Sequence, residues 1–233
     1  MNQVFINPII VAIDKNSEVE AYELTEELVG QVGAIKLGLE FFDTYGPDGI
    51  RNLQKLKIPI FLDLKIHDIP QTVKKTIDTL SSLKPDILNV HALGGKKMMQ
   101  YALESLSNNS PHTQLIAVTI LTSLDNNDLQ MMKIDISTKD LVSSLAKLTK
   151  ESGLSGVVCS SEEIKLVREA CGKNFRIIVP GIRPDGSDKN DQKRTMTPKE
   201  AISLGADHLV IGRPITESKD PRNATIEIVN SIK

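Results

Sequence analysis

The sequence predicts an α/β protein folded as a single (β/α)8 TIM barrel, and two observations support this prediction. Short apolar runs rich in β-branched residues recur along the chain, and a longer stretch with helical periodicity follows each of them. The length of 233 residues is also close to that of one such barrel. The predicted strands are Pro8–Asp14, Ala34–Glu40, Ile58–Lys65, Asp86–His91, Gln114–Leu121, Gly156–Ser160, Arg176–Ile182 and His208–Ile215.

The segments between these runs have the spacing of amphipathic helices. In Val19–Val32 two leucines lie four residues apart, and in Lys139–Glu151 the leucines recur at spacings of four and three. Parallel strands joined by helices are buried on both faces, and a set of eight such units closes into a barrel. Because no Pro/Gly/Ser-rich linker divides the chain, we expect residues 1–233 to form one domain.

Composition and charge exclude several kinds of partner. The hydrophobic fraction of 40% and the charged fraction of 25% are typical of a soluble globular protein. A formal net charge of −2 gives no overall basic field that would attract nucleic acid or an anionic membrane. No segment approaches the roughly 20 apolar residues that cross a bilayer. The N-terminal run MNQVFINPIIVAID ends in an acid, which indicates a strand rather than a signal peptide.

Motifs for common cofactors and metals are missing from the sequence. There is no GxGxxG, GxxxxGK[ST] or HExxH, and the four histidines are scattered. Cys159 and Cys171 lie in different predicted elements without a CxxC spacing, so buried thiols in a reducing cytoplasm are the expectation. Interpretations as an NAD-binding protein, a P-loop protein or a zincin therefore lack support.

Charged residues concentrate where the first three predicted strands end. Asp14 ends the first strand, Lys36 lies in the second, and Asp63 and Lys65 end the third, with Asp68 just beyond. Reactive residues of this fold lie at the C-terminal ends of the strands, and residues two apart on a strand share a face. Alternating Lys and Asp also satisfy the requirement that buried charges be paired. The same pattern fits a ring of structural ion pairs, although the apolar surroundings of Asp63 and Lys65 make purely structural charges costly there.

A second group of residues follows the last two predicted strands. Arg183 and the pair Gly212–Arg213 stand where this fold often binds phosphate, and arginine offers a fork of donors that matches phosphate oxygens. The segment Arg183–Pro198 is long for a βα connection and lacks apolar periodicity, which indicates a lid over the site.

Several segments resemble one known enzyme family in order and spacing. FLDLKIHDIPQT at 61–72 resembles the D-x-K-x-x-D signature of the orotidine 5'-phosphate decarboxylases. Further matching segments, which span nearly the whole chain, are IIVAID, AIKLG, LTS at 121–123, VPGIRP at 179–184, DQKR at 191–194 and IGRPI at 211–215.

The resemblance implies conversion of orotidine 5'-monophosphate (OMP) to UMP and CO2 without cofactor or metal, as the last step of de novo UMP synthesis. It gives Lys65 the role of the acid that stabilises and protonates the carbanion at C6, with Asp63 beside the departing carboxylate. Lys36 and Asp68 complete the catalytic set. The substrate-binding residues that it implies are Asp14, Lys36, Asp63, Thr72, Thr122, Arg183, Gln192, Gly212 and Arg213.

The resemblance also implies a homodimer, in which Asp68 and Thr72 reach the neighbouring subunit's site. One alternative is a Mg²⁺-dependent sugar-phosphate decarboxylase or synthase of the same superfamily, since D-x-K-x-x-D is shared with those enzymes. Lys36 argues against it, because the metal-dependent relatives carry a glutamate at that position. A third possibility is a barrel that binds a nucleotide without catalysis, which the complete Asp/Lys set disfavours.

Overall fold

The computed structural model describes residues 5–15, 17–184 and 196–232. Within them, eight parallel strands pair in sequence order, and the eighth pairs with the first, so that the sheet closes into a barrel. The strands are β1 (Ile9–Ala12), β2 (Ala34–Gly38), β3 (Ile60–Ile66), β4 (Ile87–His91), β5 (Gln114–Val118), β6 (Gly156–Val158), β7 (Arg176–Val179) and β8 (His208–Ile211). The predicted fold class is confirmed.

Helices follow the strands and cover the outside of the barrel. They are α1 (Glu18–Leu28), α2 (Leu39–Gln54), α3 (Pro70–Ser81), α4 (Gly95–Asn109), α5 (Asn126–Met131), α6 (Thr138–Glu151), α7 (Ile164–Cys171), α8 (Pro198–Ser203), α9 (Arg213–Thr216) and α10 (Pro221–Ile232). Short 3₁₀ turns occupy Ala92–Gly94 and Ser161–Glu163. None of the described helices is long and apolar enough to cross a membrane.

All eight predicted strands are present, but the predicted ends of some were wrong. The second strand stops at Gly38, since Leu39 already begins α2. The eighth stops at Ile211, and α9 begins at Arg213, where the sequence had predicted strand. Apolar residues in the first turn of the following helix prolong the strand pattern, and periodicity alone does not separate the two.

The two helices predicted from leucine spacing are also present. Helix α6 starts within a residue of its predicted start, because the Ser137 hydroxyl caps it by accepting the N–H of Asp140 at 3.1 Å. Helix α1 ends at Leu28, four residues earlier than predicted, and Gly30 follows with a positive φ of 77°. A left-handed glycine beyond the last turn is a common helix terminator.

The barrel interior is packed and positions the site above it. A small apolar cluster fills the inside with residues such as Ile10, Phe61, Ile87, Ile116 and Ile178, and a larger cluster lies between the strands and the helices. Each interior strand position has its next interior neighbour two residues further along. The side chains that follow these residues toward the C-terminal ends therefore point into the mouth of the barrel.

Candidate active site

The polar residues of the mouth continue the interior rows of the first four strands. On β3 the interior row runs from Phe61 to Asp63 and then Lys65, and on β4 it runs from Ile87 to Asn89 and then His91. On β2 the interior Ala34 is followed by Lys36. The polar side chains thus form a layer on the C-terminal side of the small apolar cluster that fills the barrel.

Four of these residues form what we call the charged cluster, which consists of Asp14, Lys36, Asp63 and Lys65. The Lys65 ammonium lies 2.9 Å from Asp63 Oδ1, and the Lys36 ammonium lies 3.4 Å from Asp63 Oδ2. Lys36 is also 4.0 Å from Asp14 Oδ1, at the limit of an ion pair. The side chain of Asp63 is 10% exposed and that of Asp14 is 63% exposed, so Asp63 is the buried centre of the cluster.

The charge state of Asp63 follows from its neighbours. Burial acts to raise the pKa of the Asp63 carboxyl, but the ammonium groups of Lys36 and Lys65 prevail, so that the pKa lies below its ordinary value. Hydrogen bonds from Lys65 and Asn89 add to this lowering of the pKa. Asp63 is therefore an anion held between two cations, an arrangement that satisfies all three charges.

Lys65 has an unusual backbone conformation. Its φ is +50°, in the left-handed region that residues other than glycine seldom adopt. It lies in a bulge of β3, where the pairing with β4 passes from Leu62↔Leu88 directly to Ile66↔Val90. Outliers of this kind cluster at functional sites, where the surrounding structure maintains them.

A cavity of about 600 Å³ lies between Asp14 and Lys36 of the charged cluster and the ends of β7 and β8. Asp63 pairs with the lining residue Lys36 but is not itself part of the lining, and neither is Lys65. It is lined by residues of four strand ends, among them Asp14, Lys36, Arg183, Gly212 and Arg213. The volume is in the range of small-molecule sites. Its position at the C-terminal face of the barrel agrees with where enzymes of this fold bind their ligands.

The β7–β8 side of this cavity carries positive charge. Arg183 is only 8% exposed; it donates to the Ile182 carbonyl at 3.0 Å, and its Nε has no hydrogen-bond partner among the described residues. Burial lowers the pKa of Arg183, and the nearby Arg213 guanidinium lowers that pKa further. An anion between these two guanidiniums would offset their mutual repulsion.

Other predicted site residues lie outside this cavity. Asp68 and Thr72 are exposed, the first before α3 and the second in its first turn, and Asp68 Oδ1 accepts the N–H of Ile69 at 2.6 Å. Thr122 is exposed in the β5–α5 connection. Gln192 lies outside the described residues, as does most of the predicted lid at 183–198.

Sequence reasoning did not assign a role to three residues that the fold brings to the mouth. Lys15 lines the cavity and donates to the Thr216 carbonyl at 3.0 Å. Asn89 contacts Asp63, and His91 stacks on His67 with ring centroids 5.3 Å apart. The sequence did indicate Asn89 and His91, because both are polar residues in the apolar run DILNVHA and lie two and four residues after the interior Ile87.

The fold and the site together define a (β/α)8 enzyme with a Lys/Asp cluster at the mouth of its barrel and two arginines on the far side of the adjoining cavity. The sequence pattern of the orotidine 5'-phosphate decarboxylase / HUMPS family matches residues 7–228. The chain therefore belongs to that family, as its sequence motifs predicted.

Individual relatives agree with this assignment. The chain is 49% identical to the orotidine 5'-phosphate decarboxylase of Wolbachia sp. subsp. Brugia malayi, over 97% of this chain and 100% of that protein. It is 47% identical to the Ehrlichia canis enzyme of the same name, over 98% and 99%. The crystal structure of orotidine 5'-phosphate decarboxylase from Lactobacillus acidophilus superimposes with a TM-score of 0.87 at 36% identity, covering 97% of this chain and 99% of that one.

Proposed function

We propose that the protein decarboxylates OMP to UMP and CO2, the last step of de novo UMP synthesis. The single observation that supports this most is the pairing of the Lys65 ammonium with the buried Asp63 carboxylate at 2.9 Å, beside a cavity with a cationic end. The names of the relatives agree with this substrate. We also infer one domain over residues 1–233 and a cytoplasmic location, which suits the two buried free thiols.

Lys65 is the proton donor in this proposal. When the bond between C6 and the carboxylate breaks, CO2 leaves and the electron pair remains on C6. The Lys65 ammonium stabilises that carbanion and then transfers a proton to it. Asp63 holds the ammonium in place, and Lys36 compensates the Asp63 charge after Lys65 has become neutral.

The rest of the cavity binds the substrate. Asp14 and Lys36 face the ribose hydroxyls, and Arg183, Gly212 and Arg213 receive the phosphate. The resemblance to the family adds Gln192 at the phosphate and Thr122 at the pyrimidine edge. The cavity extends from Asp14 and Lys36 of the charged cluster to the arginines, so one molecule can contact both groups. Binding energy at a remote phosphate can then be used to position the reacting carbon.

A homodimer completes the site in this proposal. Asp68 and Thr72 are exposed, and Ile69, which follows Asp68, is 68% exposed. Two further large apolar side chains are exposed on the next loops of the same face, Leu93 at 47% and Leu121 at 42%. An apolar rim of this kind is suited to burial against a second copy, which would receive Asp68 and Thr72.

The Mg²⁺-dependent alternative fits the charged cluster less well. Asp63 is already paired with two ammonium groups, and each of them would repel a divalent cation. A barrel that only binds nucleotides has no need for a Lys65 ammonium held 2.9 Å from a buried carboxylate.

The decisive experiment follows the loss of OMP absorbance with purified protein in excess EDTA, beside a Lys65→Ala variant. We expect turnover to UMP that survives the chelator and is lost in the variant. If the wild type shows no turnover, or only with Mg²⁺, the assignment is wrong. Unchanged turnover by the variant would remove Lys65 from its role.

The shared site is tested by mixing two inactive variants, Lys65→Ala and Asp68→Ala. In a hybrid dimer, one site contains the intact Lys65 of one chain and the intact Asp68 of the other. Random reassociation should therefore restore about a quarter of wild-type activity. A mixture as inactive as its components would place Asp68 in its own subunit's site or outside catalysis.

A further inference from the structure

The bulge at Lys65 leaves a gap in the β3–β4 ladder. Between Leu62 and Ile66 the β3 chain advances four residues, while β4 advances two, from Leu88 to Val90. The N–H of Lys65 consequently does not bond to a backbone carbonyl of β4 in regular register. A buried N–H without an acceptor costs about 1–3 kcal/mol, so something must replace the missing carbonyl.

The side chain of Asn89 fills this gap. Its Oδ1 accepts the Lys65 backbone N–H at 2.7 Å, and its Nδ2 donates to Asp63 Oδ1 at 2.6 Å. The partners fix the orientation of the amide, because a backbone N–H only donates and an ionised carboxylate only accepts. Asn89 therefore uses both ends of its amide on the two residues of the proposed chemistry.

We propose that Asn89 is a positioning residue for the decarboxylation, which holds the Lys65 backbone in its bulge and the Asp63 carboxylate against the Lys65 ammonium. This inference rests on the proposed function. Asn89 has no exposed surface, so it acts through its neighbours and does not touch the substrate.

The geometry explains why an amide is suited to this position. Asp63 Oδ1 receives both the Asn89 Nδ2 and the Lys65 Nζ, so the two contacts fix one oxygen from two directions. The left-handed φ of +50° at Lys65 is unfavourable by itself and persists only if neighbouring bonds maintain it. Losing Asn89 would release the backbone and the carboxylate together.

Two substitutions separate the two ends of the amide. Asn89→Leu keeps the size and removes both bonds, whereas Asn89→Asp keeps an acceptor for Lys65 and loses the donor to Asp63. The matched control is Thr119→Val, which removes a buried hydroxyl that donates to the Val158 carbonyl at 3.2 Å on another strand pair.

We expect Asn89→Leu to lower kcat for OMP about 100-fold, since small displacements of reacting groups have effects of that order. The KM for OMP and the affinity for UMP should stay within about threefold, because the ribose and phosphate contacts are intact. Thr119→Val should keep kcat within about threefold of the wild type. A merely structural role would give both variants the same loss.

The pH dependence gives a second readout. In Asn89→Asp a protonated carboxyl can donate to Asp63 as the amide does, whereas an ionised one cannot. The ratio of variant to wild-type kcat should therefore rise as the pH falls from about 8 to about 5. A ratio that stays flat or falls contradicts the proposal.

Crystal structures of the wild type and Asn89→Leu test the positioning without reference to turnover. We expect the Lys65 ammonium to leave Asp63 by about 1 Å or more and φ of Lys65 to change. An unmoved Lys65 overturns the proposal, even if the protein proves to act on another substrate. If Lys65 is displaced in Asn89→Leu but the wild type does not turn over OMP, the positioning role stands and the proposed function is contradicted.

Discussion

The two ends of the barrel both collect charged residues, but these residues have different partners. At the mouth, Asp63 is bound by the side chains of Lys36, Lys65 and Asn89. At the N-terminal end, Asp207 Oδ2 accepts the backbone N–H of Ile177 and an Arg168 Nη2, each at 2.7 Å. Asp63 thus pairs with side chains, whereas Asp207 binds a backbone N–H in addition to an arginine.

Arg168 shows the same preference for backbone at the N-terminal end. It donates to the carbonyls of Gly172, Phe175 and Gly205, at distances of 2.6–2.7 Å for the shortest contact with each. These three carbonyls precede β7 and β8, before the hydrogen bonds between the strands begin. Without Arg168 they would lose a donor. The charges of Arg168 and Asp207 therefore serve the fold, whereas at the mouth Asp14, Lys36, Arg183 and Arg213 line a cavity that can receive a ligand.

Removing a cation from the β7–β8 side of the cavity should have a large effect on function. We expect Arg213→Ala to lower kcat/KM for OMP about 10²- to 10³-fold, or about 3–4 kcal/mol, because the phosphate loses a charged donor. Its free energy of unfolding should stay within about 1 kcal/mol of the wild type. Arg222→Ala, at an exposed position of α10, is the control for loss of an arginine. Equal kcat/KM in the two variants would contradict a phosphate site at Arg213.

Removing a cation at the N-terminal end should reverse this pattern. We expect Arg168→Met to lower the free energy of unfolding by about 2–3 kcal/mol, because several carbonyls and Asp207 lose their partner. Urea unfolding measures this loss, and kcat at a temperature where the variant is folded should stay near the wild-type value. A folded Arg168→Met with strongly reduced kcat would show that the two ends are coupled.

The smallest expected effect concerns His208, which opens β8 and packs its ring on Phe5 with centroids 5.0 Å apart. Its pKa is lowered from 6.5 to about 4, chiefly by burial and next by the Arg176 guanidinium. The unfolded chain takes up a proton near pH 6.5 and the folded protein only near pH 4. Folding keeps the His208 imidazole neutral, so this group does not oppose folding above pH 6.5. As the pH falls from 6.5 toward 4, the unfolded chain binds a proton that the folded protein does not, and the free energy of unfolding decreases.

Because of His208, we expect the free energy of unfolding to be about 1–2 kcal/mol lower at about pH 5 than at about pH 7. Urea unfolding at the two pH values measures the change, which should shrink in His208→Gln. His112→Gln, at an exposed position, should retain the wild-type dependence. The same pH dependence in both variants would assign the effect to other groups.

Much of the mouth could be predicted because strand periodicity is local. The two-residue spacing of Asp63 and Lys65 placed them on one face, and the structure joins them in an ion pair. The end of β8 could not be placed in the same way. The residues from Gly212 onward are compatible both with a continued strand and with the first turn of a helix, and their hydrophobic pattern does not separate the two.

Asn89 and the bulge lay beyond sequence reasoning for a different reason. The left-handed conformation of Lys65 depends on the register between β3 and β4, which is a tertiary property. A lone asparagine in an apolar strand gives no indication of its partner. Asp68, Thr72, Thr122 and Gln192 stay predictions, because their proposed contacts involve a second subunit, a ligand or residues outside the described ranges.

The most direct test measures kcat and the free energy of unfolding on one pair of variants, Lys65→Met and Arg168→Met. For Lys65→Met we predict a loss of kcat of at least about 10⁴-fold, because the proton donor and its charge disappear together. Its free energy of unfolding should change by less than about 1 kcal/mol, since Asp63 keeps Lys36 and Asn89. If Lys65→Met retains kcat within about tenfold, or loses it only through unfolding, the division between a catalytic mouth and a structural end is wrong.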